Sequence, residues 1–166
     1  MKTKPKILVV DDDRSICKLM TSILEMESYT FRVVASAEQA RQTMQGEQFD
    51  ILVSDIYLGD DSGLTLLDYM KSINPDAEVV IMTAHGTMET AVHAVHNGAF
   101  DYISKPFKVD DILGVFRRIE EKLQLVERAT VGAELAEAMP DTHIIGATPK
   151  MVEIYKKVAK VARIEA

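Results

Sequence analysis

ILVVDDD at residues 7–13 and ILVSD at residues 51–55 decide the fold, because each is a short apolar run that stops on acid. Ile7–Val10 has no alternation of polar and apolar side chains and is mostly β-branched. That pattern predicts a strand buried on both faces, as in a parallel sheet. Phe31–Val34, Val79–Met82 and Tyr102–Ile103 have the same character, each bounded by Asp, Ser, Thr, Gly or Pro. Between the runs lie amphipathic stretches of ordinary helix length, about ten to fourteen residues. Ile16, Leu19, Met20, Ile23 and Leu24 recur at three and four residues, as do Leu64, Leu67 and Met70, and then Ala91, Val92 and Val95. Five strand–helix repeats with right-handed crossovers predict an α/β chain. The expected architecture is a doubly wound, five-stranded parallel sheet of flavodoxin-like order 2-1-3-4-5. In that fold a site opens at the carboxyl ends of strands 1 and 3.

Hydrophobic residues make up 47% of the 166 and charged residues 27%, enough for a real core and a solvated surface. A net charge of −7 gives the chain no nucleic-acid or anionic-membrane footprint, so neither partner is expected. The single cysteine, Cys17, permits no intramolecular disulfide and reads as a small buried hydrophobe. The basic start, MKTKPKILVV, has too short an apolar run for a signal peptide. No stretch approaches the length of a membrane span. The expected location is the cytoplasm.

After Pro106 the pattern changes. Val109 to about Ala138 reads as one long helix with Asp110 and Asp111 in its first turn, where negative charge suits the helix dipole. Phe116, Ile119, Leu123, Val126, Thr130 and Ala133 form an imperfect heptad seam. The first three turns suffice to cover the sheet, and continuing beyond them exposes Leu123 and Val126. A seam too apolar for water and too narrow for a globular core predicts a homodimer through this linker helix, the alternative being a helix that folds back on its own domain or frays after Gly132. Gly132 weakens the last turns, and Pro140-Asp141 is a stop. Beyond it Met151, Ile154, Tyr155, Val158 and Val161 repeat at helical spacing, with five basic against three acidic residues from Pro140 onward. This tail is too short to bury its own apolar face and reads as the opening of a further domain.

The chemistry is expected at the strand ends. Asp11 and Asp12 follow strand 1, Asp55 ends strand 3, Thr83 follows strand 4 and Lys105 follows strand 5. Strand carboxyl ends of this fold face one crevice, so these side chains should converge. Crowded carboxylates need a cation, and hard oxygen ligands with few protein donors favour Mg²⁺. A carboxylate can attack phosphorus to give an acyl phosphate. Lys105 and the Thr83 hydroxyl would then bind phosphoryl oxygens. Each feature alone is ordinary, since an Asp run before a helix is commonly a cap. Their joint occurrence in this chain order is specific.

Residues 6 to about 122 resemble the receiver domain of two-component response regulators. The match runs through ILVVDD, ILVSD with Gly63 eight residues on, VVIMTAHG and GAFDYISKPF. The resemblance implies that Asp55 is the phosphoacceptor, serving a sensor histidine kinase. It also implies that Asp11, Asp12, Asp55 and the backbone carbonyl of Tyr57 hold Mg²⁺, and that Thr83 and Lys105 bind the phosphoryl group. Thr83 and Tyr102 would be the switch residues, and the Lys105-Pro106 bond would be cis. Gly59 departs from the family's usual Pro, which suggests a looser loop, with Asp60 and Asp61 adding negative charge near the metal. Tyr57 and His85 stand at positions that tune acyl-phosphate lifetime in the family.

The remainder is similar to sigma-54-dependent transcriptional activators of the nitrogen-regulation class, on the strength of Ile145, Gly146, Pro149 and Met151. The expected organisation is a receiver domain at 1–122 and a helical linker at 109–139 that overlaps its last helix. The start of a truncated AAA+ ATPase domain follows at 140–166. No G-x-x-x-x-G-K-[ST] occurs, so no nucleotide site and no ATP hydrolysis are expected of this chain, and no helix-turn-helix follows.

Two other readings use the same residues. A phosphohydrolase of the haloacid dehalogenase type would take Asp11 as nucleophile and Asp13 as acid/base, leaving Asp55 unexplained. A flavin- or nucleotide-binding module would need a phosphate-cradling loop where this chain has acid. His93 and His96 are three residues apart on a helix but have no evident third partner, so a solvated surface is expected there.

Overall fold

The computed structural model describes residues 3–137, with side-chain burial described as far as residue 133. Two compact units divide the chain, Met1–Phe116 and Arg117–Ala166. The expected tail domain at 140–166 lies outside the described residues.

Five strands form the parallel sheet of the first unit: β1 (Lys6–Val10), β2 (Thr30–Val34), β3 (Ile51–Asp55), β6 (Glu78–Thr83) and β7 (Asp101–Ser104). Their order is β2-β1-β3-β6-β7, the expected 2-1-3-4-5 with two short strands inserted in the chain. Those two, β4 (Tyr57–Leu58) and β5 (Asp61–Ser62), pair antiparallel in a small hairpin directly after β3. The helices are α1 (Arg14–Met26), α2 (Ala37–Gly46), α3 (Gly63–Ile73), α4 (Met88–His96) and α5 (Val109–Glu137).

The central strands are buried residue by residue, which explains why their sequences show no polar alternation. Leu8, Val10, Leu52, Val79 and Ile81 join Ala40 and Met44 of α2 and Leu66, Leu67 and Met70 of α3 in one apolar cluster. Strand alternation sends Ile7, Val9, Ile51, Val53, Val80 and Met82 to the other face. All six are fully buried, as are Met20 and Leu24 of α1 and Ile112 and Phe116 of α5. Tyr29 meets Phe116 edge to face, ring centroids 5.6 Å apart.

The linker seam needs correction. Phe116 and Ile119 are fully buried, so neither is available to a twin helix. Burial then fades along the same stripe, with Leu123 partly covered and Val126 37% exposed. Only the stretch from Leu123 onward can offer a surface, and Leu125 and Val131 are exposed beside it.

Two helices end in the same way with different residues. At α4 the N–H of Ala99 donates to the Ala94 carbonyl and that of Gly98 to Val95, with Gly98 at φ +96°. At α1 Tyr29 donates to Leu24 and Ser28 to Glu25, with Ser28 at φ +57°. Both are Schellman ends, which require a left-handed residue after the cap. Serine holds that conformation at a steric cost that glycine avoids, set against glycine's greater entropy when unfolded. Ser28→Gly should therefore stabilise the fold by about 0.5–1 kcal/mol, read as a rise in the urea midpoint at unchanged slope.

Candidate functional site

The acidic run Asp11–Asp13 divides between two jobs. Asp13 is the N-cap of α1, its carboxylate accepting from the Ser15 N–H at 2.8 Å. Asp11 and Asp12 are left facing Asp55, one carboxylate oxygen from each lying within 4.8 Å of the others. Register delivers this meeting. Val10 pairs with Ser54, so β1 and β3 end side by side and the next residue of each strand projects into one crevice.

Lys105 reaches the same place from the end of β7. Its Nζ donates to Asp11 Oδ2 at 2.5 Å and to Asp55 Oδ2 at 2.7 Å, with only 9% of its side chain exposed. Its own N–H donates to the Thr83 carbonyl at 2.9 Å, tying the end of β7 to the end of β6. The Lys105-Pro106 bond is cis. Burial works against the lysine's charge, but the hydrogen bonds it donates to Asp11 and Asp55 outweigh it and hold the ammonium above its ordinary range. Burial also raises the Asp11 carboxyl, against the lowering effect of Lys105 and the Asp13 N–H. Asp55 is 8% exposed, and its second oxygen accepts from the Tyr57 N–H at 3.1 Å.

Three carboxylates against one ammonium leave net negative charge in a pocket of hard oxygens. That donor set suits a small divalent cation that keeps part of its water, such as Mg²⁺. Among the described residues this is the one carboxylate, histidine or cysteine group with the spacing to hold a metal. His93 and His96 do not join it, and the His93 ring lies against the Asn97 amide at 3.0 Å. Cys17 is close by, its thiol donating to the Asp11 carbonyl at 3.1 Å, and burial pushes that thiol up and keeps it protonated.

Thr83 closes β6, 1% exposed, with its hydroxyl accepting from the His85 N–H at 3.3 Å. Tyr102 lies half-buried on β7, next but one along its strand to Ser104, which pairs with Thr83.

The loop after Asp55 is not loose. Gly59, at φ +66°, turns the β4–β5 hairpin in a conformation that proline cannot adopt. Asp61 is paired instead with Arg41 of α2, at 2.7 Å. Thr65 completes the pin, donating to Asp61 and accepting from Arg41. Arg41 escaped sequence reasoning because a lone arginine on an amphipathic helix looks like any solvated charge. Gly63 opens α3 so close to β3 that an added Cβ would overlap the Asp55 carbonyl oxygen and lie 2.9 Å from Ser54 Oγ.

Fold and site together define a class, an α/β domain with an acidic pocket and a lysine at the carboxyl edge of its sheet. The family described as response regulator receiver domain matches residues 7–117, and the chain belongs to it. Two curated relatives are each 33% identical to it. The C4-dicarboxylate transport transcriptional regulatory protein DctD of Rhizobium meliloti matches 98% of this chain and 35% of its own length. The response regulator protein PilR of Pseudomonas aeruginosa matches 99% and 35%. The chain thus spans about a third of the length of these relatives. The beryllofluoride-activated NtrC4 receiver domain dimer superposes with a TM-score of 0.67 at 32% identity, over 70% of this chain and 97% of that one. A Burkholderia pseudomallei response regulator with a phosphorylated aspartic acid and a calcium ion gives 0.64 at 28%, over 94% and 85%.

Gly63→Ala should destabilise the domain by about 1–3 kcal/mol, because the clash is with backbone and cannot be relieved by a rotamer change; chemical denaturation measures it. The Asp61 carboxyl is held well below the usual carboxylate range, chiefly by the hydrogen bond from Arg41. A depressed pKa contributes stability that is present above the unfolded value and is lost as pH falls. Both groups are about one-third exposed, so solvent screening limits their coupling to about 0.5–1 kcal/mol. A double-mutant cycle with Asp61→Asn and Arg41→Ala should show that coupling at pH 7 and lose it progressively below about pH 4.

Proposed function

We propose that Asp55 accepts a phosphoryl group from a sensor histidine kinase in a Mg²⁺-dependent transfer. The observation that carries this reading is one carboxylate, Asp55, bridged to Asp11 by Lys105 in a pocket of three acids. An Asp55 oxygen attacks phosphorus as the bond to the kinase histidine breaks, leaving an acyl phosphate here and a neutral imidazole on the kinase. Asp11, Asp12, Asp55 and the Tyr57 backbone carbonyl would hold the metal, whose part is to neutralise charge on the transferring group. Lys105 would pass from its carboxylate partners to a phosphoryl oxygen, and the Thr83 hydroxyl would leave the His85 N–H for another. Thr83 and Tyr102 would carry the change to the surface. The group would be lost only by slow self-dephosphorylation, so the event is a stoichiometric switch and not enzymatic turnover. Asp13, the acid/base of the haloacid dehalogenase reading, is engaged as the N-cap of α1, which favours the phosphoacceptor reading over that one.

The output would be a sigma-54-type transcription activator, on the resemblance of residues 140–166 to the start of an AAA+ domain. In that arrangement residues 1–122 are the receiver and 109–139 the connector to the chain's own ATPase domain. A homodimer through the connector fits the exposed Leu125, Val126 and Val131, and the NtrC4 receiver neighbour is itself a dimer.

A small phosphodonor with Mg²⁺ should label the chain once, and Asp55→Asn should abolish the label while Asp11→Asn slows it. Normal labelling of Asp55→Asn together with none of Asp11→Asn would place the nucleophile on Asp11 and overturn the reading. Light scattering at micromolar concentration should report a dimer that Val126→Glu dissociates. A monomeric parent chain, with and without beryllofluoride, would end the dimer proposal.

A further inference from the structure

Gly86 stands three residues beyond the end of β6, just before the Thr87 cap of α4. Its φ lies outside the left-handed region, so backbone freedom does not explain a glycine there. Space does. A Cβ added at residue 86 would overlap the Tyr102 hydroxyl oxygen and lie 2.6 Å from its Cζ and 3.0 Å from Thr83 Cγ2. The end of the Tyr102 ring therefore occupies the volume that any other residue at 86 would fill.

That inward position is held by shape alone. The Tyr102 hydroxyl is buried and has no hydrogen-bond partner among the described residues. A buried tyrosine hydroxyl ordinarily finds a partner, so no polar contact fixes the ring in place. The rest of Tyr102 is only half-buried, which leaves it a way out. The contrast with Gly63 is informative. There an added Cβ meets backbone, which cannot yield, whereas at Gly86 it meets the far end of a side chain, which can.

We propose that Gly86 is a positioning residue for the switch, admitting Tyr102 to its inward position beside Thr83 because it has no side chain. With a Cβ at 86 the ring must turn outward and lose contact with Thr83. A phosphoryl group at Asp55 can then draw the Thr83 hydroxyl inward, but Tyr102 does not follow. The link to Thr83 rests on the phosphoacceptor reading above; the steric gate does not.

The test uses the full chain with fluorotyrosine at its five tyrosines. Fluorine NMR resolves the ring environments, and Tyr102→Phe assigns the Tyr102 signal. With no phosphoryl analogue present, Gly86→Ala should move that signal to a solvent-exposed position and leave the other four in place. In the parent chain beryllofluoride with Mg²⁺ should shift the Tyr102 signal, and in Gly86→Ala most of that response should be lost. A folded Gly86→Ala chain whose Tyr102 signal does not move overturns the proposal. Should Gly86→Ala fail to fold, the Gly86→Ala, Tyr102→Ala double variant decides. Recovery of the fold shows that the clash is with Tyr102, and continued failure overturns the gate. A parent chain blind to beryllofluoride would overturn the phosphoacceptor reading and the link to Thr83, while the first comparison still judges the gate.

Discussion

The ammonium of Lys105, shared between Asp11 and Asp55, is the contact on which the site depends. It draws on three strands that are far apart in sequence and must all end at the same height. Two buried carboxylates with no cation between them would repel and would each bear a desolvation cost of several kcal/mol. The parallel register supplies the alignment, with Val10 opposite Ser54 and Thr83 opposite Ser104. A slip of one residue in β1, β3 or β7 would turn one of these side chains to the wrong face of the sheet. Sheet register and site chemistry are thus one constraint. Every buried apolar residue in the strands above helps to place charge at their ends.

A site held by a lysine is also a site prepared for replacement. The hydrogen bonds that Lys105 makes to two carboxylates are those it could make to a phosphoryl oxygen, which is also an anionic acceptor. The Tyr57 N–H fixes the other Asp55 oxygen and so orients the carboxylate before anything arrives. Orientation is preserved because the hairpin behind Tyr57 is pinned from outside, through Asp61 to Arg41 on α2. That pin also pairs the Asp61 charge with a guanidinium. The charge that remains is close to what a divalent cation would balance.

The strands, their order and the strand-end residues were legible because each leaves a local signature. A run such as VVIMT, short, rich in β-branched residues and bounded by polar ones, has the composition of a buried strand, and Asp, Thr and Lys stand out where such runs stop. The long helix was legible for the same reason, and it runs from Val109 as far as the described residues reach. What could not be read was pairwise. The apolar stripe of α5 has one periodicity from Phe116 to Ala133, so pattern alone could not show at which residue along it burial gives way to exposure. The β4–β5 hairpin rests on two residues per strand and on Arg41, twenty residues from its partner Asp61. The sequence suggested a loose loop because it shows Gly59 but not what ties the loop down.

Gly63 and Gly86 show how one residue type can set two different limits around one reaction centre. At Gly63 the close neighbour is the Asp55 backbone, so the glycine fixes a distance within the fold. At Gly86 the neighbour is the Tyr102 ring, which has rotamers, so the glycine permits a state without imposing it. The first kind of contact belongs to the frame that holds Asp55 in place in every state. Under the proposed gate the second would belong to a two-state element, the kind that can convert a local charge into a change of surface. β7 carries Tyr102 and packs against α4, whose outer face exposes Met88, Val92 and Val95. The ring over Gly86 thus sits on the strand that packs against α4. Under that proposal a change at Thr83 would reach the surface through one side chain and one missing Cβ.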